Sequence, residues 1–467
     1  MKRSAYIFLG FLLLQSLCFG QAKITIKIDT EKSYDSLKIQ AYDTEQEFSP
    51  ILEQKFSNTA VLSTKKSLHP GIYWILFDKT LGGAFLISPN SKQDFSIQIT
   101  DSDVIFSETP ENEHYKDYLN HVQTFDAQMQ GLNQEFQDAK SRLPQYMLGP
   151  IVDTLNAKAT RIAAEKERYQ RQVIAENPHT TLAGIVQCGI EIPQPTKEIA
   201  SDRMKMQEYY VSHYFDNFPW DYPYIFNTPI AKDKVKEFCS IISQLQRPEF
   251  DQYVMHALQS AKIDTATYFA FFDEVEKILG DHGSPLKIER LYIKMLKDML
   301  TISKLPGNRQ RHCTYELGVI DKNHVGDIAP NFKIVTHTGD TTTLHDIQAE
   351  YLLLYLQHPT CPTCQKVRGM MANFPFLNKA IASGRLKVLT VYFEDDAEIW
   401  KNYIHSNEAN PSYMHGWNFD QSIEQNALYD TRAIPYMFIL DKDKRILKKN
   451  VMETVLEDEI KMLNILN

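Results

Sequence analysis

Two cysteines separated by two residues form the part of the sequence best suited to chemistry. Cys361 and Cys364 follow a short apolar run, Tyr351–Leu356, and precede a segment with helical character. A C-x-x-C pair at such a junction between strand and helix is the arrangement of thiol redox chemistry. Its spacing brings both sulfur atoms within the first turn of the helix. We therefore predict a redox-active disulfide pair that works without a metal or a cofactor.

The two cysteines are expected to behave differently. The first backbone N–H groups of a helix have no partner within the helix, so they stabilise a negative charge placed there. Cys361, nearest the helix start, should ionise more easily than a free thiol and act as the nucleophile. Pro362 fits an early helical position, where the N–H group that it lacks is not needed. Cys364, one turn inside, should be less accessible and act as the resolving thiol.

A proline before a second apolar strand is the other candidate site element. Pro435 follows Ile434 and opens the run Tyr436–Leu440. If the peptide bond between Ile434 and Pro435 is cis, it leaves neighbouring backbone exposed, so that a substrate chain can pair with it. A trans proline that only opens a strand is the alternative. Ile434 and Pro435 are therefore the candidate substrate-binding residues.

Three regions of different pattern contain these motifs. Residues 21–109 alternate apolar and polar in short runs between turns, which predicts an antiparallel β-sandwich or β-barrel. Residues 110–320 carry apolar residues at three- and four-residue spacing between Pro and Gly breakers, which predicts an α-helical region. Strands and helices alternate over residues 321–467, which predicts an α/β domain with a partly parallel sheet.

The last region resembles the thioredoxin-fold domain of the extracytoplasmic TlpA/ResA-like thiol–disulfide oxidoreductases. The landmarks, in chain order, are Val325–Phe332 (the family's Gly-x-x-Ala-Pro-x-Phe opening), Gly339, Leu344, Cys361, Cys364 and the segment Ile434–Asp441. The resemblance implies a thioredoxin fold in which a cis Pro435 faces the cysteine pair. It also implies client proteins with thiols or disulfides, and a further redox partner. The whole chain resembles secreted multidomain proteins of the Bacteroidetes type.

Two positions near the pair depart from thioredoxins. Thr360 stands where thioredoxins place Trp, and Tyr355 stands at the position of their buried acid. A group that takes the proton of Cys364 is therefore not found in its usual place. The acidic run Glu394–Asp396 is interpreted as an exposed loop, because carboxylates rarely stay buried without a partner. The direction of exchange, reduction or oxidation and isomerisation of clients, stays open.

Two other interpretations of the pair remain open. A structural disulfide between Cys361 and Cys364 would close a very short loop and would stabilise the chain little. A zinc site would need more ligands, for which His312, Cys313 and His358 are the candidates. A separate alternative for the function is a non-catalytic envelope binding or scaffold protein with a thioredoxin-like domain, because the β-rich and helical regions make up most of the mature chain.

Three further cysteines lie outside both the motif and the first 20 residues, which contain Cys18. Cys188, Cys239 and Cys313 fall in segments of helical pattern, where buried and inert thiols are the usual case. Their number is odd, so at most one disulfide can form among them.

The first residues have the pattern of a secretory signal peptide. A positive start, Met1–Arg3, precedes an apolar run and small residues, and cleavage after Gly20 fits the pattern. The apolar run is too short to span a membrane comfortably, although a retained anchor and a lipidated Cys18 are alternatives. We predict that residues 1–20 are removed, and that the mature protein lies in the periplasm or cell envelope without a membrane span.

Composition narrows the class of protein. The chain has 467 residues, of which 43% are hydrophobic, as in globular proteins and not in disordered ones. The 50 Lys and Arg against 59 Asp and Glu give a net charge of −9. An acidic chain without a long basic run argues against nucleic acid as a partner.

Overall fold

A computed structural model describes most of the chain between Ala22 and Ile465. Outside that description lie residues 1–21, 30–33, 43–48, 56–58, 79, 102, 246, 282, 433, 466 and 467. The predicted signal peptide, residues 1–20, and Cys18 are thus outside the described residues. The chain divides into two compact units, with the boundary between residues 278 and 279.

The first unit begins with eight strands. They are β1 (Lys23–Asp29), β2 (Ser36–Ala41), β3 (Ser49–Lys55), β4 (Thr59–Ser63), β5 (Gly71–Phe77), β6 (Thr80–Ile87), β7 (Asp94–Thr100) and β8 (Val104–Ser107). They form two four-stranded sheets, in the orders β4-β1-β7-β8 and β3-β2-β5-β6. Alternate apolar residues of both sheets, such as Ile24, Leu37 and Ile97, share one buried core. The region is therefore a β-sandwich and not a barrel.

One strand pair of the sandwich departs from the predicted antiparallel pattern. β1 and β7 pair in parallel, whereas the other neighbours in both sheets are antiparallel. These two strands lie far apart in the sequence, so no hairpin turn fixes their relative direction. Pairing between such distant strands has no signal in the local pattern.

Helices fill the rest of the first unit. They are α1 (Pro110–Arg142), α2 (Leu148–Glu176), α3 (Thr181–Cys188), α4 (Lys197–Ala200), α5 (Arg203–His213), α6 (Pro229–Leu245), α7 (Asp251–Ala261) and α8 (Thr265–Val275). Local signals start several of them. Thr180 caps α3, Asp202 caps α5 and Asp264 caps α8, each by accepting hydrogen bonds from backbone N–H groups of the first turn.

The second unit opens with two more helices, α9 (Glu289–Met299) and α10 (Gly307–Ile320). Glu289 of α9 forms an ion pair with Lys449 at 3.0 Å. The side chain of Asn323, just after α10, donates to the carbonyl of Leu428 at 2.9 Å. Both helices thus pack on the α/β part of the chain, and the compact unit begins before the boundary predicted after residue 320. The exact domain limits stay a prediction.

The α/β part has seven strands and five helices within the described residues. In chain order they are β9 (Lys333–Thr336), β10 (Thr341–Thr343), β11 (Tyr351–Leu356), α11 (Pro362–Met371), α12 (Pro375–Ala382), β12 (Leu386–Tyr392), α13 (Ala397–Ile404), β13 (Met414–Trp417), α14 (Ser422–Gln425), β14 (Tyr436–Asp441), β15 (Ile446–Lys449) and α15 (Leu456–Met462). The sheet order is β10-β9-β13-β12-β11-β14-β15. The three strands β11, β12 and β13 are parallel, and the outer pairs are antiparallel.

The central strand β11 is buried on both faces, which explains its continuous apolar run. Leu352, Leu354 and Leu356 point into one core of the sheet, and Leu353 and Tyr355 point into the other. The helices α11 and α12 contribute apolar side chains to the second core. Helices thus cover the face of β11 that carries Tyr355, and the strand ends where the cysteine segment begins.

The predicted architecture is confirmed as a β-sheet region, a helical middle and a C-terminal mixed sheet of thioredoxin type. Among the residues that the structure describes, no helix combines the length and the apolar character needed to cross a membrane.

Candidate active site

The cysteine pair lies at the junction that the sequence predicts. β11 ends at Leu356 and α11 begins at Pro362, so the intervening turn carries Cys361 to the start of the helix. Cys361 is the N-cap residue, in an extended backbone conformation, and Cys364 lies in the first helical turn. The backbone N–H of Cys361 donates to the carbonyl of His358 at 3.2 Å, which closes the turn. Both cysteines are free thiols.

Cys361 has the features of a nucleophilic thiol. It is partly exposed, and this partial burial raises the pKa of its thiol. Hydrogen bonds from the backbone N–H groups of Cys364 and Thr363, and from the Cys364 thiol, outweigh that effect, and the positive charge of Arg368 adds to them. The pKa of Cys361 therefore lies below that of an ordinary cysteine, which increases the thiolate fraction at neutral pH.

Cys364 is the opposite case. It is fully buried, and burial raises the pKa of its thiol to about 12, although a backbone N–H from His358 and the charge of Arg368 act against the rise. Its S–H group faces the sulfur of Cys361, and this hydrogen bond favours the proton on Cys364 and the negative charge on Cys361. The pair therefore contains one thiol ready to ionise and one that holds its proton.

A buried arginine lies one helical turn beyond Cys364. The side chain of Arg368 is 6% exposed. Its Nη1 donates to the amide oxygen of Gln357, and its Nη2 donates to the carbonyl of Pro359 at 2.9 Å and to the carboxylate of Glu408. The guanidinium also packs over the ring of Tyr403, 5.0 Å from its centre. Arg368 thus joins α11 to the segment that leads into the cysteine turn.

Two neutral groups complete the surroundings of this arginine. The hydroxyl of Tyr355 donates to the carbonyl of Cys364 at 3.2 Å, and burial raises the pKa of this phenol. The ring of His415 is buried; Nδ1 is 2.7 Å from the hydroxyl of Thr390 and Nε2 is 3.0 Å from the carbonyl of Asn410. Burial lowers the pKa of His415 to about 4, so the ring is neutral at neutral pH.

The turn itself also carries the imidazole side chain of His358. Its Nδ1 accepts from the backbone N–H of Thr360 at 3.2 Å, which leaves the proton of the neutral ring on Nε2. That Nε2 lies 3.4 Å from a carboxylate oxygen of Glu394, and the ring packs edge-on against Tyr392. Of the predicted acidic loop, Glu394 therefore reaches the site, while all three acids are exposed. Asp396 caps α13 instead.

The second candidate element lies at the same end of the sheet. The Ile434–Pro435 peptide bond is cis. β14 pairs antiparallel with β11 so that Tyr436, directly after the proline, is opposite Leu356, the last residue of β11. The strand register thus brings the cis peptide and the start of the cysteine segment to one edge of the sheet.

An ion-pair cluster supports the chain just before the cis peptide. Arg432 bonds to both carboxylate oxygens of Asp430, at 2.8 and 2.9 Å, and its other nitrogen reaches Glu316 of α10. The guanidinium packs over the ring of Tyr315, 5.2 Å from its centre. The helix α10 is thereby tied to the loop that carries Pro435.

The other cysteines that the structure describes, Cys188, Cys239 and Cys313, are buried, as predicted. Within the described residues, no group of three or more His, Cys, Asp or Glu side chains is arranged to hold a metal ion.

Sequence reasoning found the cysteines and the proline but missed the buried arginine and its partners. The sequence signal that could have found it is a charged residue at position 368, four residues after Cys364 and between the apolar positions Val367 and Met371. Its partner Glu408 is 40 residues away in the sequence, and only the tertiary fold brings the two together.

Two family models match the chain. One is described as thioredoxin-like and matches residues 349–446. The other is described as a domain of unknown function and matches residues 161–323. A search of curated proteins finds no match.

Several solved structures are similar to the chain. A thioredoxin-like protein from Bacteroides caccae is 24% identical over 58% of this chain and 98% of that chain, with a TM-score of 0.52. The C-terminal domain of an uncharacterised protein from Bacteroides fragilis is 32% identical, over 30% of this chain and 98% of that one, with a TM-score of 0.29. The thioredoxin domain of a thiol–disulfide oxidoreductase from Bacteroides vulgatus is 17% identical, over 30% and 97%, with a TM-score of 0.26.

The thioredoxin-like model spans the central strand β11, the cysteine turn and the strand that follows the cis proline. The C-terminal α/β domain also shares its fold with the Bacteroides caccae protein. The thioredoxin-like resemblance that the sequence motifs indicate is thus confirmed for this domain.

Proposed function

We propose that this protein is a thiol–disulfide oxidoreductase that exchanges disulfides with client proteins through Cys361 and Cys364. The observation that carries the proposal is the contrast between the two thiols. Cys361 is accessible and has a lowered pKa, whereas Cys364 is buried and has a raised one. A pair of this kind separates attack from release, which are the two steps of exchange.

The exchange proceeds through a mixed disulfide. The Cys361 thiolate attacks one sulfur of a client disulfide; a bond forms between these two sulfurs, and the other client sulfur leaves as a thiolate that takes a proton from water. Cys364 then gives its proton to water and attacks the sulfur of Cys361, so the internal disulfide forms, the bond between Cys361 and the client breaks, and the second client sulfur leaves as a thiolate that takes up a proton. Two electrons have passed to the client. The reverse sequence oxidises a client dithiol.

Client binding is proposed at the edge of the sheet beside the pair. The cis peptide between Ile434 and Pro435 starts β14, and backbone next to such a peptide can pair with an extended client segment. The ion pair between Arg432 and Glu316 supports this role because it holds the loop before the proline. A redox partner of the thiol or disulfide class must restore the pair after each cycle.

The proposed location is the periplasm or cell envelope. The N-terminal pattern of residues 1–20 supports export, and disulfide exchange suits an oxidising compartment. N-terminal sequencing of the mature protein tests this: a start at Gln21 is expected, whereas a chain that keeps its first residues would contradict cleavage.

Single cysteine variants test the chemistry. With a disulfide-bonded model protein as client, the wild type should exchange, Cys361→Ser should not, and Cys364→Ser should accumulate a mixed disulfide through Cys361. Cys239→Ala is the matched control, because it removes a buried cysteine remote in sequence from the motif. Equal exchange by wild type and Cys361→Ser would refute the proposal and favour a scaffold role. Exchange by the wild type and by Cys361→Ser, with no mixed disulfide trapped in Cys364→Ser, would also refute it.

A further inference from the structure

The charge beneath the cysteine pair is positive. Tyr355 occupies the position at which thioredoxins carry a buried acid, and its hydroxyl bonds to the carbonyl of Cys364. The phenol stays neutral because burial raises its pKa. The ionised group on this side is the guanidinium of Arg368, which stays protonated at any ordinary pH.

The partners of this guanidinium balance its charge only in part. Glu408 is half exposed, with 52% of its side chain accessible, so water screens its carboxylate. The other bonded partners, the amide of Gln357 and the carbonyl of Pro359, are neutral. The neighbouring His415 is neutral too, since burial holds its pKa near 4. Positive charge therefore remains on the buried side of the pair.

Two buried donors around Arg368 lack hydrogen-bond partners, which is unfavourable if the arginine serves only to stabilise the fold. The Nε of Arg368 and the amide nitrogen of Gln357 are buried and find no hydrogen-bond acceptor among the described residues. A buried donor without a partner costs about 1–3 kcal/mol. An apolar side chain at position 368 would avoid this cost, as Val367 and Met371 do beside it.

A buried cation acts differently on the two redox states of the pair. The disulfide carries no charge, whereas the reduced pair carries a thiolate on Cys361. A nearby cation lowers the free energy of that thiolate and leaves the disulfide unaffected. The reduced pair is stabilised, and a pair that is stable when reduced takes electrons readily.

We infer that Arg368 is the positioning residue that makes the Cys361–Cys364 pair more oxidising, and that Glu408 moderates this effect through its ion pair. The inference rests on the proposed exchange function.

Equilibration of the full-length protein with glutathione measures this effect. The protein disulfide accepts two electrons from two glutathione thiols, giving the protein dithiol and one glutathione disulfide, and the two thiol protons pass to the protein sulfurs. The equilibrium constant of this reaction is larger for a more oxidising pair. Thiolate absorbance in the ultraviolet, followed against pH, reports the ionisation of Cys361 in the same samples.

Two substitutions should move the equilibrium constant in opposite directions. Arg368→Gln removes the cation, so the constant should fall by about three- to tenfold, and Cys361 should ionise at a higher pH. Glu408→Gln removes the counter-charge and keeps the cation, so the constant should rise by about two- to threefold, and Cys361 should ionise at a lower pH. Arg368→Lys keeps the charge without the planar fork and should restore most of the wild-type value.

A second arginine of the same domain provides the matched control. Arg385 pairs with Glu350 and packs over the ring of Tyr351, 5.8 Å from its centre, as Arg368 does over Tyr403. Tyr351 begins β11, so this pair lies at the opposite end of the strand from the cysteine turn. Arg385→Gln should leave the equilibrium constant unchanged.

The outcomes separate this inference from the proposed function. If the pair does not cycle with glutathione in the wild type, the proposed function itself fails. If the pair cycles but Arg368→Gln and Glu408→Gln shift the constant in the same direction, or not at all, the assignment of Arg368 fails. Should Arg368→Gln not fold, the rise expected for the surface variant Glu408→Gln still decides the question.

Discussion

Cysteine side chains lie in two contrasting environments in this protein. Cys361 is at the start of a helix, whereas Cys188 and Cys239 are buried farther along their helices. Cys361 is the N-cap residue of α11, where the backbone N–H groups of the first turn lower the pKa of its thiol. Cys188 is the last residue of α3, and Cys239 lies within α6, where the N–H groups are used inside the helix. Burial raises the pKa of Cys188 to about 12 and raises that of Cys239 as well. Position along a helix and access to water, not residue type, decide which cysteine is reactive.

Alkylation of the native protein should separate these two settings most strongly. Cys361 should react with iodoacetamide at least about a thousand times faster than Cys188 or Cys239, because fully buried thiols react only when the chain opens. The rate at Cys361 should rise with pH and level off at a lower pH than for a free cysteine, since its pKa is lowered. Mass spectrometry of the labelled peptides gives both quantities.

Labelling in denaturant serves as the control for this experiment, because every thiol should then react alike. Comparable labelling of Cys239 and Cys361 in the native state would contradict the claim that burial makes Cys239 unreactive while the helix start activates Cys361.

The free energy of unfolding should change more when the buried Cys239 is substituted than when Cys361 is substituted, the reverse of the order in reactivity. Cys239→Ser buries a hydroxyl in an apolar site and should lower the free energy of unfolding by about 1–3 kcal/mol. Cys361→Ser changes a partly exposed residue and should alter it by less than about 0.5 kcal/mol. Denaturant titration of the reduced proteins measures both changes. A larger loss for Cys361→Ser would mean that this thiol has a structural role in the turn.

A smaller effect is expected for Tyr355, whose hydroxyl contacts the cysteine segment. Tyr355→Phe removes the hydroxyl that donates to the carbonyl of Cys364 and should lower the free energy of unfolding by about 1 kcal/mol. Exchange with a model client should continue, because the hydroxyl bonds to backbone and not to a sulfur. Loss of exchange in a folded Tyr355→Phe protein would instead assign a proton-transfer role to this phenol.

The reactive turn could be predicted from the sequence because its determinants are local. The apolar run of β11, the proline Pro362 that suits the first helical position, and the spacing of the two cysteines lie within fifteen residues of one another. Together they fix a thiol at a helix start. The alternation of strands and helices after residue 321 likewise predicts the mixed sheet, since each period is a local property.

The rest depends on contacts between distant segments. The parallel pairing of β1 with β7 joins two strands that are distant in the β-rich sequence, and the ion pair between Glu289 and Lys449 joins α9 to β15, the last strand of the chain. The partner Glu408 of Arg368 comes from a loop after α13. No periodicity within a short window reports such pairings, so the partners that hold the buried cation beneath the cysteines are visible only in the folded chain.

The most direct test of the account is a redox titration of the full-length wild-type protein with glutathione, followed by peptide mapping of every cysteine. We predict that one disulfide forms and opens reversibly, that it joins Cys361 to Cys364, and that Cys188 and Cys239 remain thiols throughout. A pair that stays reduced at every ratio of glutathione to its disulfide, or a disulfide that forms elsewhere instead, would contradict the account.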